Sequence, residues 1–534
     1  MLKRSALRVA LVLALALTAC VAFAANASAA TNPQVATNYY FSCALLNSGT
    51  VNCWGNNSEG QLGDGTSTER LTPGPVSGIT DATALTTGDG HACVIVADQT
   101  VRCWGDNGSG QAGDGTDNND RLTPVAPIGV SGAKQISSSD YTNCAVLADS
   151  TITCWGSNPN DVMGRGNTSN VTTPVSVPGF TNVVKVQAAP DNICALLATG
   201  TVKCSGTNDE GELGNGSIGG GSNVPVDVVE VSSAVDLAGG DEFACALISD
   251  GTVKCWGDGG NGKLGNGSTD DSGTPATVPG LTGVVQIAAQ YDSICALIND
   301  GTVRCWGDNS NGQAGTGAYG DANTPQVVNG LSNVVSLGVT GENTVCVIVL
   351  GGQVICWGQN DSGQIGNGVK GSDVLALTTV PNLNVNVVPY PAVQSAVTVT
   401  GKAKTDRKKK NYTVSGNFSL TPAPFVGTAV CAGNVTVSTK YKYTALKTVK
   451  KKGKKVKKKV TKTKTIKTSP DLTVAGATCS AKFTFKKLPV KYLNKKKIAI
   501  TAAFAGNAGL EAATASTSYK LPKVSLKKKK SKKK

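Results

Sequence analysis

The stretch Cys295-Ala-Leu-Ile-Asn-Asp-Gly-Thr-Val-Arg-Cys305-Trp306-Gly307 decides the fold. Two cysteines ten positions apart enclose an apolar strand, a turn and a second strand, and Trp-Gly follows. The pattern occurs seven times with a period of 50 or 51 residues, at cysteines 43/53, 93/103, 144/154, 194/204, 245/255, 295/305 and 346/356. A fixed period of that length marks a repeat architecture. Residues that face each other across the hairpin leave the three-residue loop Asn299-Asp300-Gly301, a loop that favours glycine in the left-handed region. Gly49, Gly200, Gly251 and Gly352 keep that place, whereas Gln99 and Ser150 depart from it. Directly opposed residues of a non-hydrogen-bonded pair come within disulfide range. The spacing therefore predicts seven intra-hairpin disulfides: Cys43–Cys53, Cys93–Cys103, Cys144–Cys154, Cys194–Cys204, Cys245–Cys255, Cys295–Cys305 and Cys346–Cys356.

After each hairpin comes a polar, glycine-rich segment such as Asn56-Asn-Ser-Glu-Gly60-Gln61-Leu62-Gly63-Asp-Gly65. A Thr-Pro or similar step follows, then an apolar strand such as Val284-Val285-Gln286-Ile287. Each unit reads as four short strands with no helical period. Seven such units fit an all-β, seven-bladed β-propeller over residues 31–388. Asn384-Val-Asn-Val-Val388 matches the strand that elsewhere leads into the next unit. It is expected to pair with Tyr39–Leu46 and close the ring, removing the exposed sheet edges.

The motif Cys-Trp-Gly-x-Asn-x-x-Gly-Gln-Leu-Gly-x-Gly, preceded by a strand ending in Ala-Leu, resembles the repeat of the regulator of chromosome condensation family. Trp54, Trp104, Trp155, Trp256, Trp306 and Trp357 keep its tryptophan, and the fourth unit has Ser205. Kelch and WD repeats fit worse. The resemblance implies the propeller and leaves its use open. Guanine-nucleotide exchange, known in the family, requires a long inserted wedge loop for which these units leave no room. A secreted β-lactamase inhibitory propeller shares the resemblance and implies an inhibitor as the alternative.

The formal charge of +14 averages two opposite regions. Residues 31–388 hold 11 Lys and Arg against 33 Asp and Glu, and residues 389–534 hold 36 against 3. Lys3, Arg4 and Arg8 precede an apolar run from Val9 to Ala25, and Ala27-Ser28-Ala29 is a small-x-small cleavage site. Residues 1–29 thus read as a signal peptide and predict secretion or attachment at the cell surface. Leu17-Thr18-Ala19-Cys20 offers the competing reading of a lipoprotein anchored at Cys20. The other 16 cysteines fall into pairs, as expected of an exported protein, and Cys431–Cys479 is the eighth. No later stretch is long and apolar enough to span a membrane as a helix.

Catalytic chemistry finds little support. His91 is the one imidazole, no G-x-S-x-G elbow occurs, and the cysteines are committed to pairs. Zinc is disfavoured by the spacing, and Asp106, Asp258 and Asp308 lack an EF-hand series. No cofactor or metal is expected.

One constellation points to binding. An acid lies three or four residues before the first hairpin cysteine in six units: Asp89, Asp140, Asp191, Asp241 with Glu242, Asp292 and Glu342. Equivalent positions on a ring share a face, so these carboxylates are expected to circle one end of the channel. Phe41, Tyr141, Phe243 and Tyr291 interleave with them. Either these are solvated turn residues, or they form a docking face for a cationic partner, a protein or a polymer, with aromatics as anchors.

Residues 389–525 show strand-like segments, and Phe504-Ala-Gly506-Asn507-Ala-Gly-Leu510 resembles a late-strand motif of bacterial immunoglobulin-like domains, which implies a β-sandwich. Lysines make up 12 of the 21 residues of a loop at 447–467, and 526–534 is a poly-Lys tail expected to be disordered. Such runs solubilise, fold onto the acidic propeller, or attach to anionic cell-envelope polymers. Without aromatic platforms they do not read nucleic-acid sequence. The chain is expected to act as a monomeric, non-enzymatic binding scaffold.

Overall fold

The structure, a computed structural model, describes residues 33–338 and 343–385 in full and the backbone of the strands between Gln394 and Lys520. Seven antiparallel four-stranded sheets follow one another along the chain, at 34–75, 82–125, 135–176, 183–227, 234–277, 284–327 and 334–384, and we call them blades 1 to 7. Each runs from an inner strand beside the channel to an outer strand at the rim.

Blade 6 shows why these residues form a blade. Its second strand, Ser293–Ile298, lies between two neighbours in the sheet, and its residues are buried except at the end. The third strand, Val303–Gly307, alternates buried and half-buried at its start, because Arg304 faces outward while Val303 and Cys305 face the core. Cys295 stands opposite Cys305, and their Cα atoms lie 4.1 Å apart across the predicted disulfide. All seven predicted hairpin disulfides are present. They imply an oxidising, extracytoplasmic location.

The hairpin loops converge on one backbone shape. Asp300 Oδ1 accepts from Thr302 N (3.0 Å) and Thr302 Oγ1 (2.6 Å), and Gly301 sits at φ +83°. Gln99 (φ 64°) and Ser150 (φ 66°) take the same conformation without being glycine.

Adjacent blades are fastened in two layers. In the outer layer each tryptophan reaches back to the glycine-rich loop of the blade before it. Trp306 Nε1 donates to the Lys263 carbonyl at 3.0 Å, and a Cβ on Gly265 would lie 2.5 Å from that nitrogen. Trp54, Trp104, Trp155, Trp256 and Trp357 bond to the carbonyls of Gln364, Gln61, Gln111, Glu212 and Gln313 at 2.8–3.0 Å. Ser205 keeps a longer bond, 3.4 Å to the Val162 carbonyl, and buried Val162 and Met163 sit in the same core cluster as Ile193, the cross-strand neighbour of Ser205. In the inner layer, glutamines clip the next inner strand. Gln135 exchanges two bonds with the Val186 backbone (2.9 and 3.0 Å), and Gln286 does so with Leu337 (2.9 and 3.3 Å).

Ring closure differs from the sequence expectation. The partner of Phe41–Leu45 is Gln34–Thr37, with Gln34 opposite Leu45 and Thr37 opposite Ser42. Asn384 instead pairs with Gln353 in blade 7, and 386–388 lie outside the described residues. Val385 reaches only the tip of blade 1, where its carbonyl accepts from Asn47 N at 3.4 Å. The physical reason is loop closure: Gln34–Thr37 is joined to its partner by a short turn, and the distant segment is not. Blades 7 and 1 then meet as any two neighbours do, through Trp54, through Gln364 Nε2 bonded to the Tyr39 carbonyl (2.8 Å) and through Thr37 Oγ1 bonded to the Thr344 carbonyl (2.9 Å).

Beyond the propeller, strands at Gln394–Thr398, Lys404–Asp406, Asn411–Thr421, Thr473–Ala475 and Thr478–Pro489 form one antiparallel sheet. Val435–Lys451, Lys454–Thr468, Lys497–Phe504 and Ala513–Lys520 form another. The lysine-rich segment 447–467 is therefore not a loop but most of a hairpin, in which Lys447 stands opposite Lys458 and Lys450 opposite Lys455. Threonines and valines between the lysines supply the strand preference that the charge count concealed. Residues 1–29 with Cys20, the linker start at 389–391, Cys431 and the tail 526–534 lie outside the described residues.

Two outcomes follow from this packing. Trp54→Ala removes a fully buried side chain at the seam and should cost about 3–5 kcal/mol, read as a lowered denaturation midpoint. Ser150→Gly relieves a left-handed backbone and should raise the midpoint, by about 0.5–1 kcal/mol in stability.

Candidate binding site at one mouth of the channel

The turns between inner and second strands all lie at the same end of the channel, opposite the hairpin tips. They clasp one another around the ring: Asp89 N donates to the Asp140 carbonyl (3.0 Å) and Asp241 N to the Tyr291 carbonyl (2.8 Å). The glycine-rich loops share this end, as shown by Asp106 N donating to the Gly90 carbonyl at 2.8 Å. The turns enclose a cavity of about 420 Å³, counting its open mouth. Asp140 and Asp241 lie in its wall, with Asn38 and Thr87 from blades 1 and 2, Ser138 and Ser139 beside Asp140, and Gln187, Gln290 and Tyr291 beyond.

Carboxyls dominate the electrostatics at the mouth, with the Lys263 charge acting on Asp241 alone among them. Burial, reinforced by the charges of Asp89, Asp241 and Asp191, pushes the Asp140 carboxyl up to about 7. Burial also raises Asp89, Asp191 and Asp241, although a hydrogen bond from a tyrosine hydroxyl works the other way at Asp89 (from Tyr141) and at Asp241 (from Tyr291). Among the described residues no Lys or Arg forms an ion pair with any of these four acids. Four carboxyls are thus held around one opening.

The residues singled out from the sequence divide. Asp140, Asp241 and Tyr291 line the cavity, and Asp89 and Asp191 flank it. Tyr141 is 43% exposed and donates to Asp89 Oδ2 at 3.1 Å. Asp292 is not a free acid, because the Lys263 ammonium bridges it (2.6 Å) and Asp258. Glu242 is raised by burial and by the Asp241 charge, with Lys263 working the other way, and is not part of the cavity wall. Phe41 and Phe243, expected as anchors, are 0% and 3% exposed and belong to the core. Each opens a second strand that is buried on both faces, so alternation offers it no outward side. Glu342 lies outside the described residues.

His91 is buried, its Nε2 3.0 Å from Asn143 Oδ1, and burial lowers its pKa. It is a packing residue of the blade 2–3 seam. Asp106 and Asp308 accept from the loop that each begins, Asp106 from Gly108 N (2.7 Å) and Gln111 Nε2 (2.6 Å), Asp308 from Ser310 N (2.9 Å) and Gln313 Nε2 (2.7 Å). Glu59, Asp106 and Asp120 offer oxygens within 4.8 Å of one another, and Asp120 accepts from Asn107 N at 3.3 Å. These acids shape loops.

Sequence reading missed how those loops are built. A buried asparagine organises six of the seven, with Gly259 in its place in blade 5; Asn309 Oδ1 accepts from Ala314 N (2.8 Å), and its Nδ2 donates to the Ala318 and Gly320 carbonyls (2.8 and 3.0 Å). The residue after Trp-Gly and the one five further on match donor to acceptor. Asp106 takes Gln111 and Asp258 takes Lys263, whereas in blade 4 the polarity reverses and Thr207 donates to Glu212 (3.3 Å). That exchange was visible as a paired substitution between repeats.

The mouth acids fix a pH dependence. The folded value of Asp140 lies near 7 and the unfolded one near 3.9, so the folded state holds an extra proton between them. Its contribution is fully present below about 4 and is lost as pH rises through 7. Asp140→Asn should therefore raise the denaturation midpoint at pH 8 and leave it nearly unchanged at pH 4, measured by scanning calorimetry at both.

Two models with the description "Regulator of chromosome condensation (RCC1) repeat" match the chain, one at residues 34–61, 82–111, 234–263 and 284–313 and the other at 48–95 and 250–297. Comparison with curated proteins finds no match. Among solved structures, yeast RCC1 (Prp20) bound to Kap60 is 18% identical, with a TM-score of 0.56 over 67% of this chain and 86% of that one. Prp20p from Saccharomyces cerevisiae is 19% identical, with a TM-score of 0.56 over 66% and 86%. Human WBSCR16 is 20% identical, with a TM-score of 0.54 over 62% and 94%. Blade order and shared fold agree that the region from Gln34 to Asn384 is a seven-bladed β-propeller, and within it residues 34–111 and 234–313 carry regulator of chromosome condensation repeats.

Proposed function

We propose that the chain is a non-enzymatic binding protein of an oxidising compartment outside the cytoplasm, whose acidic channel mouth recognises a cationic protein or polymer. The observation that carries this reading is the cavity at the mouth, where Asp140 and Asp241, flanked by Asp89 and Asp191, meet without a paired cation. Like charges held together in a partly buried site destabilise the free protein, and a cation entering there relieves them. A catalytic reading lacks an activated nucleophile: His91 is buried away from the cavity, and the propeller's cysteines are locked in disulfides. An inhibitor docking through aromatic anchors is weakened by the burial of Phe41 and Phe243. The lysine-rich hairpin attaches the protein to anionic envelope polymers. Its run of like charges repels itself in sequence and is relieved by a polyanion.

The experiment uses the full chain and tri-lysine as a cationic probe, by calorimetry at two ionic strengths. Replacing Asp89, Asp140 and Asp241 together by Asn should weaken binding at least about tenfold and flatten its salt dependence; unchanged binding contradicts the reading. Replacing Lys454, Lys455, Lys457 and Lys458 by Gln should abolish salt-labile retention on immobilised polyphosphate while leaving tri-lysine binding in place.

A further inference from the structure

We infer that the ligand of the channel mouth is an amino sugar, a hydroxylated organic cation presented by a deacetylated aminoglycan. This rests on the reading of the mouth as a cation site and names its ligand class. The wall chemistry carries it. Besides the two carboxylates, the cavity is lined by Thr87, Ser138, Gln187 and Gln290, whose donor groups are committed to bonds within the protein, and by Asn38 and Ser139, which keep bonding capacity. Its apolar contribution is small, from Ala188, Ala189, Ala289 and Pro190. A lysine or arginine side chain brings a methylene stem, and here that stem would strip water from hydroxyls and amides without offering them a hydrogen bond. A sugar ring carries a hydroxyl on nearly every carbon and replaces that water with bonds to the same groups.

A second observation points to a ligand rather than to charge alone. Asn38 is 5% exposed and lines the cavity. Its Oδ1 is taken by Tyr39 N at 2.5 Å, while its Nδ2 has no hydrogen-bond partner among the described residues. An amide N–H₂ left open at a cavity wall, in a residue otherwise buried, favours an acceptor there. An ammonium group supplies none, whereas a sugar hydroxyl or ring oxygen does. Ser139 Oγ likewise has only a long contact, 3.5 Å to the Thr142 carbonyl, and so has bonding capacity to spare. An amine at Asp140 and Asp241 and an acceptor at Asn38 together describe a ring bearing both functions.

The test uses the full chain with four probes at one ionic strength: the β-1,4-linked trimer of glucosamine, its N-acetylated counterpart, tri-lysine and glucose. Titration calorimetry should show the glucosamine trimer binding at least about tenfold more tightly than tri-lysine, and the N-acetylated trimer and glucose binding weakly. Asn38→Ala should weaken the glucosamine trimer about tenfold and leave tri-lysine unchanged. Ser139→Ala, which disturbs no close bond, should weaken the glucosamine trimer alone and serves if the Asn38 variant does not fold. Asp140→Asn should weaken both cations. Tri-lysine binding as tightly as the glucosamine trimer overturns the amino-sugar assignment and leaves the cation site standing. Binding of neither overturns both readings, and equal binding of the acetylated and free trimers removes the role of charge.

Discussion

The ring depends on one repeated contact: an indole N–H of one blade donating to a loop carbonyl of the blade before it, over a glycine. The bond alone is worth about 1 kcal/mol. Its structural weight comes from what it joins. The tryptophan is fully buried, the glycine admits it because no Cβ intervenes, and the carbonyl belongs to a loop whose turns are set by a buried Asn and Gln. One contact therefore ties hairpin, loop and neighbouring blade together. Blade 4 tests the rule by breaking it. Ser205 reaches the same carbonyl position at longer range, and the volume is made up by Val162 and Met163, larger and more apolar than the Gln-Ala of blade 2. The seam between blades 7 and 1 uses the same contact, so closure needs no exchanged strand.

That rigid scaffold makes the mouth possible. A clasp between turns holds Asp140 beside Asp89 against their repulsion, because moving either turn breaks the backbone bond between them. Disulfides across every second–third strand pair hold the other side of each blade. The destabilising element is confined to groups facing the cavity, where a ligand reaches them. Asp292 shows the contrast: with Lys263 on the neighbouring loop it is neutralised and closed to a partner.

Much of this was legible in the sequence, for physical reasons. Period, hairpin spacing and Cys–Cys opposition are local, and the structure keeps all of them. Left-handed loops appeared at Gln99 and Ser150 as well, since the Asp and Thr flanking each loop impose the turn even where glycine is lacking. The placement of the acids at one mouth followed from ring symmetry. What failed depended on information outside the repeat. Phe41 and Phe243 are aromatic and close to acids, but their strands are central, and centrality is a property of the assembled sheet. Closure turned on whether a four-residue strand, Gln34–Thr37, beats a distant segment of better pattern. The lysine hairpin was hidden because its charge outweighed its threonines and valines. The open amide of Asn38 had no sequence signal, because only the folded turn consumes one side of it and leaves the other.

The central claim is that the fold holds an ionisable group at the channel mouth far from its solution behaviour, ready for a cation. Carbon-13 NMR of the aspartate carboxyl groups across pH, with Asp140→Asn to assign the resonance, tests it most directly. The account predicts that Asp140 titrates at about 7 in the free protein and falls toward the ordinary aspartate range when a cationic ligand is bound. Titration of Asp140 in the ordinary range in the free protein would contradict it.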